Sequence, residues 1–543
     1  MKKILPSLLL AVSLFGVTLQ EINDSPTCRA KDFMIWQYLK QDITPKEASD
    51  AFYQVTYVTN RFLHSYAKKC DDDGLKYASK CMRLPFNKLL AQTDNKCMLL
   101  ALSPYKVSKL SSSDKHKLLN KDIDEDIKSY IRFMDDTISF THIKKFSPKT
   151  FLRVFNSAGR EYRHNNFNLA LPSLYINSLT HSYSFSRLVK STVSDPKLSK
   201  LQDSLLHVDT NATFKPQTHF FLAMNHLKHS QEDKALIHLQ KVYDKSYFRM
   251  DKDKARFWQY QITKDDATLS RLAESVDINI YSMYAKELKK VAIENYFTTM
   301  NYDTNVSAKN LQNPFVWNKV LKEIKSTKKD DLLYLSEKFK NPNNVQVQAF
   351  IKERASGYIE HNYIMPYSKS MRFYSNDDVA LMYALMRQES RFIPSALSRS
   401  YALGVMQLMP FLVDVLDKSF EDRISSYNDM FNPDRNIKYS YKHIKSLQKS
   451  MYHPLFIAYS YNGGMGFFRR HLKSTGAFSE GKYEPFISLE LMSNSESREY
   501  GKKVLANYVM YKHILKEDVS ILVLFDMLTQ PRLTDRFRAL ALR

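Results

Sequence analysis

Apolar and polar positions repeat with a helical period along nearly the whole chain. The 216–245 stretch shows this most clearly. Phe220, Ala223, Met224 and Leu227 fall on one stripe. Ser230 with Asp233 marks a new start, and Leu236, Leu239, Val242 and Tyr243 form the next stripe. Phe257, Trp258 and Tyr260 place a third helix over 252–262. From about Lys31 to Tyr367 the pattern predicts helix after helix joined by short turns. Hairpins of this length stack into α-solenoids, although no strict repeat is visible here. The aromatic stripes read as core.

Polar breaks fall at 340–344 and 365–369, and the second sets a domain boundary. Just beyond it, Ser375 and Asp378 are spaced like a capping box. Val379, Met382 and Met386 follow at helical spacing, and Glu389 falls next on that stripe. Further helices are predicted over 410–420, 436–451, 454–461 and 500–515. The expected organisation is a leader (1–19), a helical solenoid (20–367), a second helical domain (368–518) and a tail (519–543) with an apolar opening and a basic end. No role follows for the tail.

Composition supports an all-α chain. Only 11 of 543 residues are Gly, about 2% against a usual ~7%, and few turn-makers favour helices on short connections. Seven of those glycines lie at or after position 404, which gives the C-terminal part a different loop chemistry. Lys and Arg number 80 against 57 Asp and Glu, a net charge of +23 that favours polyanionic partners. The basic residues are scattered and no nucleic-acid motif stands out, so nucleic acid is not the expected partner. Peptide-bearing cell wall is also anionic and fits the charge equally well.

Lys2 and Lys3 precede an apolar run over 4–19, the pattern of a secretory leader and short for a membrane span. Cleavage is expected, with retention as an uncleaved anchor the alternative. Cys28, Cys70, Cys81 and Cys97 all lie near the N-terminus. An even number in an exported chain predicts at least one disulfide, with the connectivity open. Their spacing lacks any Cys-x-x-Cys pair, so no metal or other cofactor is expected.

A carboxylate ending a buried stripe is costly unless paired or protonated. Burial raises its pKa, and a carboxyl that keeps its proton near neutrality suits general-acid work. Glu389 is therefore the candidate catalytic group.

The surrounding residues extend this reading. Gln388-Glu389-Ser390 leads to Pro394, Ser398 and Gly404-Val405-Met406-Gln407-Leu408-Met409-Pro410. Tyr459-Ser460-Tyr461-Asn462-Gly463-Gly464 follows, then Glu490, then Glu496-Ser497-Arg498-Glu499-Tyr500. In this order, over roughly 373–515, the series resembles the catalytic domain of soluble lytic transglycosylases. The resemblance implies a lysozyme-like helical domain preceded by an α-superhelix, acting on peptidoglycan glycan strands in the periplasm or cell envelope. It implies Glu389 as the one catalytic carboxylate. Ser398 and Gln407 would hydrogen-bond the substrate, and Met409 would line the cleft. Tyr461 would sit near Glu389 and help set its pKa. Asn462 would position the acetamido group, and Glu490 would contact sugar. Arg498 and Tyr500 read as scaffold. A lysozyme-type hydrolase would need a second carboxylate, for which Asp414 and Asp417 are available. A non-catalytic helical scaffold that holds other wall enzymes is the third reading.

Overall fold

The computed structural model describes residues 16–89, 91–135 and 138–541. Most of the predicted leader therefore lies outside the described residues. The chain is all-α, as predicted, with a single pair of two-residue parallel strands (Tyr296–Phe297 and His361–Asn362) among the described residues. None of the described helices is long and apolar enough to cross a membrane, and no group of His, Cys, Asp and Glu among the described residues is arranged to hold a metal ion.

The helical hairpins form where periodicity places them. Helices Pro216–Lys228, Glu232–Lys245 and Arg249–Thr263 pack side by side. Phe220, Ala223, Met224, Leu227, Leu239 and Val242 are all buried. The second helix departs from the predicted start. Ser230 takes a left-handed conformation (φ 54°) and belongs to the turn, and Asp233 sits one turn position inside a helix that opens at Glu232 without a side-chain cap. Phe257 and Trp258 are core residues, and the Phe257 ring lies 4.8 Å from that of Phe486.

That last contact illustrates the wider plan: the helical array touches the C-terminal part at several points along its length. Near the N-terminus, Phe33 and Trp36 of helix Arg29–Tyr38 pack on Tyr401, with ring centroids 5.2 and 5.4 Å apart. Arg29 and Arg61 donate to the carbonyls of Leu397 and Ser400, both at 3.0 Å. Farther along, Arg160 donates to the Ser474 hydroxyl at 3.1 Å and Lys190 to that of Ser495. One apolar core runs from Leu89 to Leu528, crossing both 367 and 518.

The tail is part of this body. Helix Ile521–Met527 is followed by Pro531–Thr534 and Arg536–Ala541. His453 bonds the Leu524 carbonyl at 2.9 Å, Arg538 donates to that of Phe478 at 2.8 Å, and Glu287 of the array accepts from the Ile521 amide at 2.9 Å. Cys81 and Cys97 form a disulfide, while Cys28 and Cys70 are buried free thiols.

Candidate active site

Helix Asn376–Glu389 is buried around most of its circumference from Ala380 to Arg387, so the stripe seen in the sequence is only one side of a core helix. Ser375 caps it by accepting from the Asp378 amide at 3.2 Å. The reciprocal half of the box is replaced by tertiary bonds. Asp378 instead accepts from Gln448 at 2.9 Å and Lys445 at 3.2 Å, anchoring the start of the helix to helix Pro433–Gln448. The other end stops abruptly. Arg391 and Phe392 both have positive φ (54° and 66°), and the Ser390 hydroxyl donates to the Val405 carbonyl at 2.7 Å. Glu389 is thus the last helical residue, facing the 396–409 loop.

That loop is tightly held. Gly404 has φ +75°, and a Cβ there would lie 2.3 Å from the Met430 carbonyl oxygen and 2.4 Å from Asn436 Nδ2. Only glycine fits. Asn436 bonds the Leu403 and Met430 carbonyls and the Met406 amide, at 2.9 to 3.0 Å. Gln407, with φ +50°, turns its amide inward onto the carbonyls of Ala396 and Gly404, at 2.9 and 2.8 Å. Ser398 accepts from the Ala402 amide at 2.9 Å. Met409 is half-buried at the cap of helix Pro410–Asp417. Ser398 and Gln407 therefore shape the loop from within.

Tyr500 is the partner that sequence reasoning missed. Its hydroxyl donates to Glu389 Oε1 at 2.7 Å. It stands on helix Ser495–Ile514, which lies close against helix Pro454–Gly463 because Gly501 leaves room: a Cβ there would meet the Tyr459 ring at 2.2 Å. Burial pushes the Glu389 carboxyl up to about 7; the Tyr500 hydrogen bond opposes the rise and the Glu496 charge adds to it. Tyr461 is near enough that the Glu389 charge adds to the burial that lifts its own pKa. Its hydroxyl, however, donates to the Met406 carbonyl at 2.7 Å and steadies the loop. Asn462 donates to Glu496 at 3.3 Å and accepts from Ser497 at 2.7 Å.

Glu490, expected to contact sugar, lies in a buried ion pair in the structure. Its carboxylate is 1% exposed, bonded to Lys502 at 2.9 Å and to the Tyr281 hydroxyl of the array. Among the described residues these partners belong to the array and to the far side of the 495–514 helix, not to the Glu389 surroundings. Taking a sugar hydroxyl there would break a buried ion pair, an expensive exchange. Asp414 and Asp417 are also committed elsewhere, accepting from Tyr427 at 2.8 Å and Tyr439 at 2.7 Å. The carboxylate that Glu389 senses is Glu496, which is exposed.

The arrangement supplies one carboxyl, raised by burial to about 7, held at a helix end, with a tyrosine that bonds it and a tightly held loop. Residues 368–483 match the family described as Transglycosylase SLT domain. Over 186 residues the chain is 27% identical to the soluble lytic murein transglycosylase of Salmonella typhimurium, covering 33% of this chain and 28% of that one. The Escherichia coli (strain K12) protein of the same name is 27% identical over 184 residues, with the same shares. The matched stretch thus spans little more than a quarter of these relatives. Among solved structures, an inactive mutant of the lytic transglycosylase Slt from Pseudomonas aeruginosa aligns over 92% of this chain and 89% of its own, with TM-score 0.49 and 14% identity. The 70-kDa soluble lytic transglycosylase of Escherichia coli aligns over 96% and 91%, with TM-score 0.45 and 14% identity.

Proposed function

We propose that this chain is a lytic transglycosylase of the cell envelope. It cleaves the β-1,4 bond between N-acetylmuramic acid and N-acetylglucosamine in peptidoglycan and leaves 1,6-anhydro-N-acetylmuramic acid ends. The observation that carries the proposal is Glu389, whose carboxyl keeps its proton up to about pH 7 inside a stretch that matches the SLT domain. Glu389 gives its proton to the glycosidic oxygen as the bond to the muramic anomeric carbon breaks. The substrate's acetamido oxygen covers that carbon. The Glu389 carboxylate then takes the proton from the C6 hydroxyl, whose oxygen bonds the anomeric carbon and displaces the acetamido oxygen. The carboxyl is regenerated and no water is consumed. Tyr500 holds the carboxylate in place through both transfers. Tyr461 and Gln407 keep the loop in shape, Ser398 and Met409 border the sugar, and Asn462 is placed for the acetamido group. The 20–367 array and the 368–518 catalytic domain are kept as functional units, with the 519–543 tail assigned to the catalytic body.

A muramidase reading runs through Glu496, the exposed carboxylate whose charge reaches Glu389. Two carboxylates flanking a scissile bond can hydrolyse it with water. The form of the released muramic end separates the two readings.

The pH profile offers an independent test of the acid. Turnover requires protonated Glu389, so kcat/KM is expected to fall as pH rises through about 7. The Tyr500 hydroxyl donates to the ionised carboxylate and so favours it. Tyr500→Phe removes that bond, raises the Glu389 pKa and moves the alkaline limb to higher pH, alongside a lower maximal rate. A limb that stays put in the variant contradicts the assigned pair.

A further inference from the structure

Behind the catalytic helices, between the array and the far face of the 495–514 helix, lies a cavity of about 1160 Å³. Its wall includes Gln388, the residue next to Glu389, yet it takes in none of the groups assigned to the reaction. It is strongly basic: ten Lys and Arg side chains line it against four Asp and Glu. Three of those acids are already engaged with lining cations. Asp251 pairs with Lys254 at 2.8 Å, Glu490 with Lys502 at 2.9 Å, and Glu499 with Lys502 at 3.0 Å and Arg498 at 2.9 Å. Arg387 and Arg391 share a single carboxylate, Glu353.

Five cations remain. Among the described residues, no carboxylate lies within ion-pair distance of Lys252, Lys329, Arg354 or Lys503, and Arg249 bonds only the carbonyls of Gly357 and Tyr358, at 2.9 and 3.5 Å. Unpaired charges of one sign around a concave wall focus field and favour an anion. The lining also carries two well-exposed aromatics, Tyr247 (90%) and Phe248 (67%), their rings edge to face 5.2 Å apart beside Arg249. Exposed rings next to unpaired cations form a surface on which a sugar can stack while its acidic appendage enters the basic cavity. A volume of this order suits an oligopeptide.

We propose that the cavity is a second binding site, which takes the carboxylate-bearing stem peptide of peptidoglycan with its sugar against Tyr247 and Phe248. The identity of that ligand rests on the function proposed above. Holding a strand here keeps its neighbouring bonds at high local concentration near Glu389.

The test uses the full chain carrying Glu389→Gln, so that nothing is turned over, and titrates it calorimetrically with a synthetic stem peptide whose carboxylates are free. Binding is expected, weakening as salt rises and lost when the carboxylates are amidated. Arg354→Glu with Lys503→Glu should weaken it by at least ~10-fold, in keeping with removal of direct charge contacts. Lys149→Glu with Lys200→Glu, at exposed positions outside the cavity lining, lowers the net charge equally and should leave binding unchanged. If the first pair melts early, Lys503→Glu alone, at an exposed position, carries the test. No binding of the free peptide, equal binding of the amidated peptide, equal loss in the Lys149/Lys200 control, or equally tight binding of a short single-stranded oligonucleotide each overturns the proposal. Because no catalysis is read, a failure here is separate from a failure of the transglycosylase reading, which the products of the unmodified enzyme decide.

Discussion

Glu389→Gln is expected to lower turnover of peptidoglycan by at least ~10² to 10⁴ while leaving the fold intact. The amide keeps the shape of the side chain and still accepts from Tyr500, but it has no proton to deliver. A stability measurement separates lost chemistry from lost structure. The folded carboxyl holds its proton up to about 7 against 4.5 for an ordinary Glu. The native state therefore binds that proton more tightly than the unfolded chain. Its stabilising effect is complete below about pH 4.5 and is lost as pH rises through about 7. The Gln variant carries no such loss. Its melting temperature relative to the parent should rise between about pH 4 and about pH 8. Near-normal clearing of cell walls by the variant would sink the assignment of Glu389.

The second large effect concerns stability. Lys502 is 0% exposed and its ammonium faces Glu490, itself 1% exposed. Lys502→Met removes the cation shared by Glu490 and Glu499; Glu499 keeps Arg498, while the buried Glu490 keeps only the Tyr281 hydroxyl as a hydrogen-bond donor. Breaking such a pair from one side typically costs about 3–5 kcal/mol. Adding Glu490→Leu to Lys502→Met should recover most of that, since two well-packed apolar groups can replace a buried pair at little net cost. Denaturant unfolding of the parent, single and double variants measures both terms. A sugar-contacting Glu490 makes the opposite forecast: Glu490→Gln would raise KM and leave stability alone. A single variant of Lys502 within ~0.5 kcal/mol of the parent, the size of an ordinary surface change, would restore that reading.

These two sites also show what could be read before the structure. Glu389 was legible because local spacing alone places it at the end of a buried stripe, and its environment follows from that position. Tyr500 was not, because the bond it makes spans 111 residues of sequence. One signal was available: Gly501 beside it implies a close helix approach, and whatever faces that approach is buried. The buried pairing of Glu490 was out of reach for a related reason. Motif order fixed its place in the series, but its partners come from the far side of helix 495–514 and from Tyr281, 209 residues away. The helical array was legible as periodicity, since Phe220, Leu227 and Trp258 are buried as their spacing required. The start of its second helix was misplaced because Ser230 serves the turn in a left-handed conformation that sequence does not announce. Contacts between distant segments were out of reach altogether. Nothing local to Phe33 and Trp36 says that they pack on Tyr401, and nothing in the 519–543 tail says that Arg538 will tie it to the Phe478 carbonyl.

The central claim is that one acid and the substrate's own hydroxyl do the chemistry. A well-oriented intramolecular nucleophile can have an effective concentration of ~10⁵ M or more, far above that of water. The C6 oxygen therefore wins if the muramic ring is held correctly against Tyr461, Asn462 and the Gln407 loop. The direct measurement is digestion of purified peptidoglycan by the unmodified enzyme in ¹⁸O-water, with mass analysis of the released disaccharide-peptides before and after borohydride reduction. The expected products end in 1,6-anhydro-N-acetylmuramic acid, lighter by one water than hydrolysed fragments, unlabelled at the anomeric carbon and inert to reduction. Reducible muramic acid carrying ¹⁸O as the main product would contradict the account and assign the chemistry to hydrolysis, with Glu496 as the carboxylate that activates water.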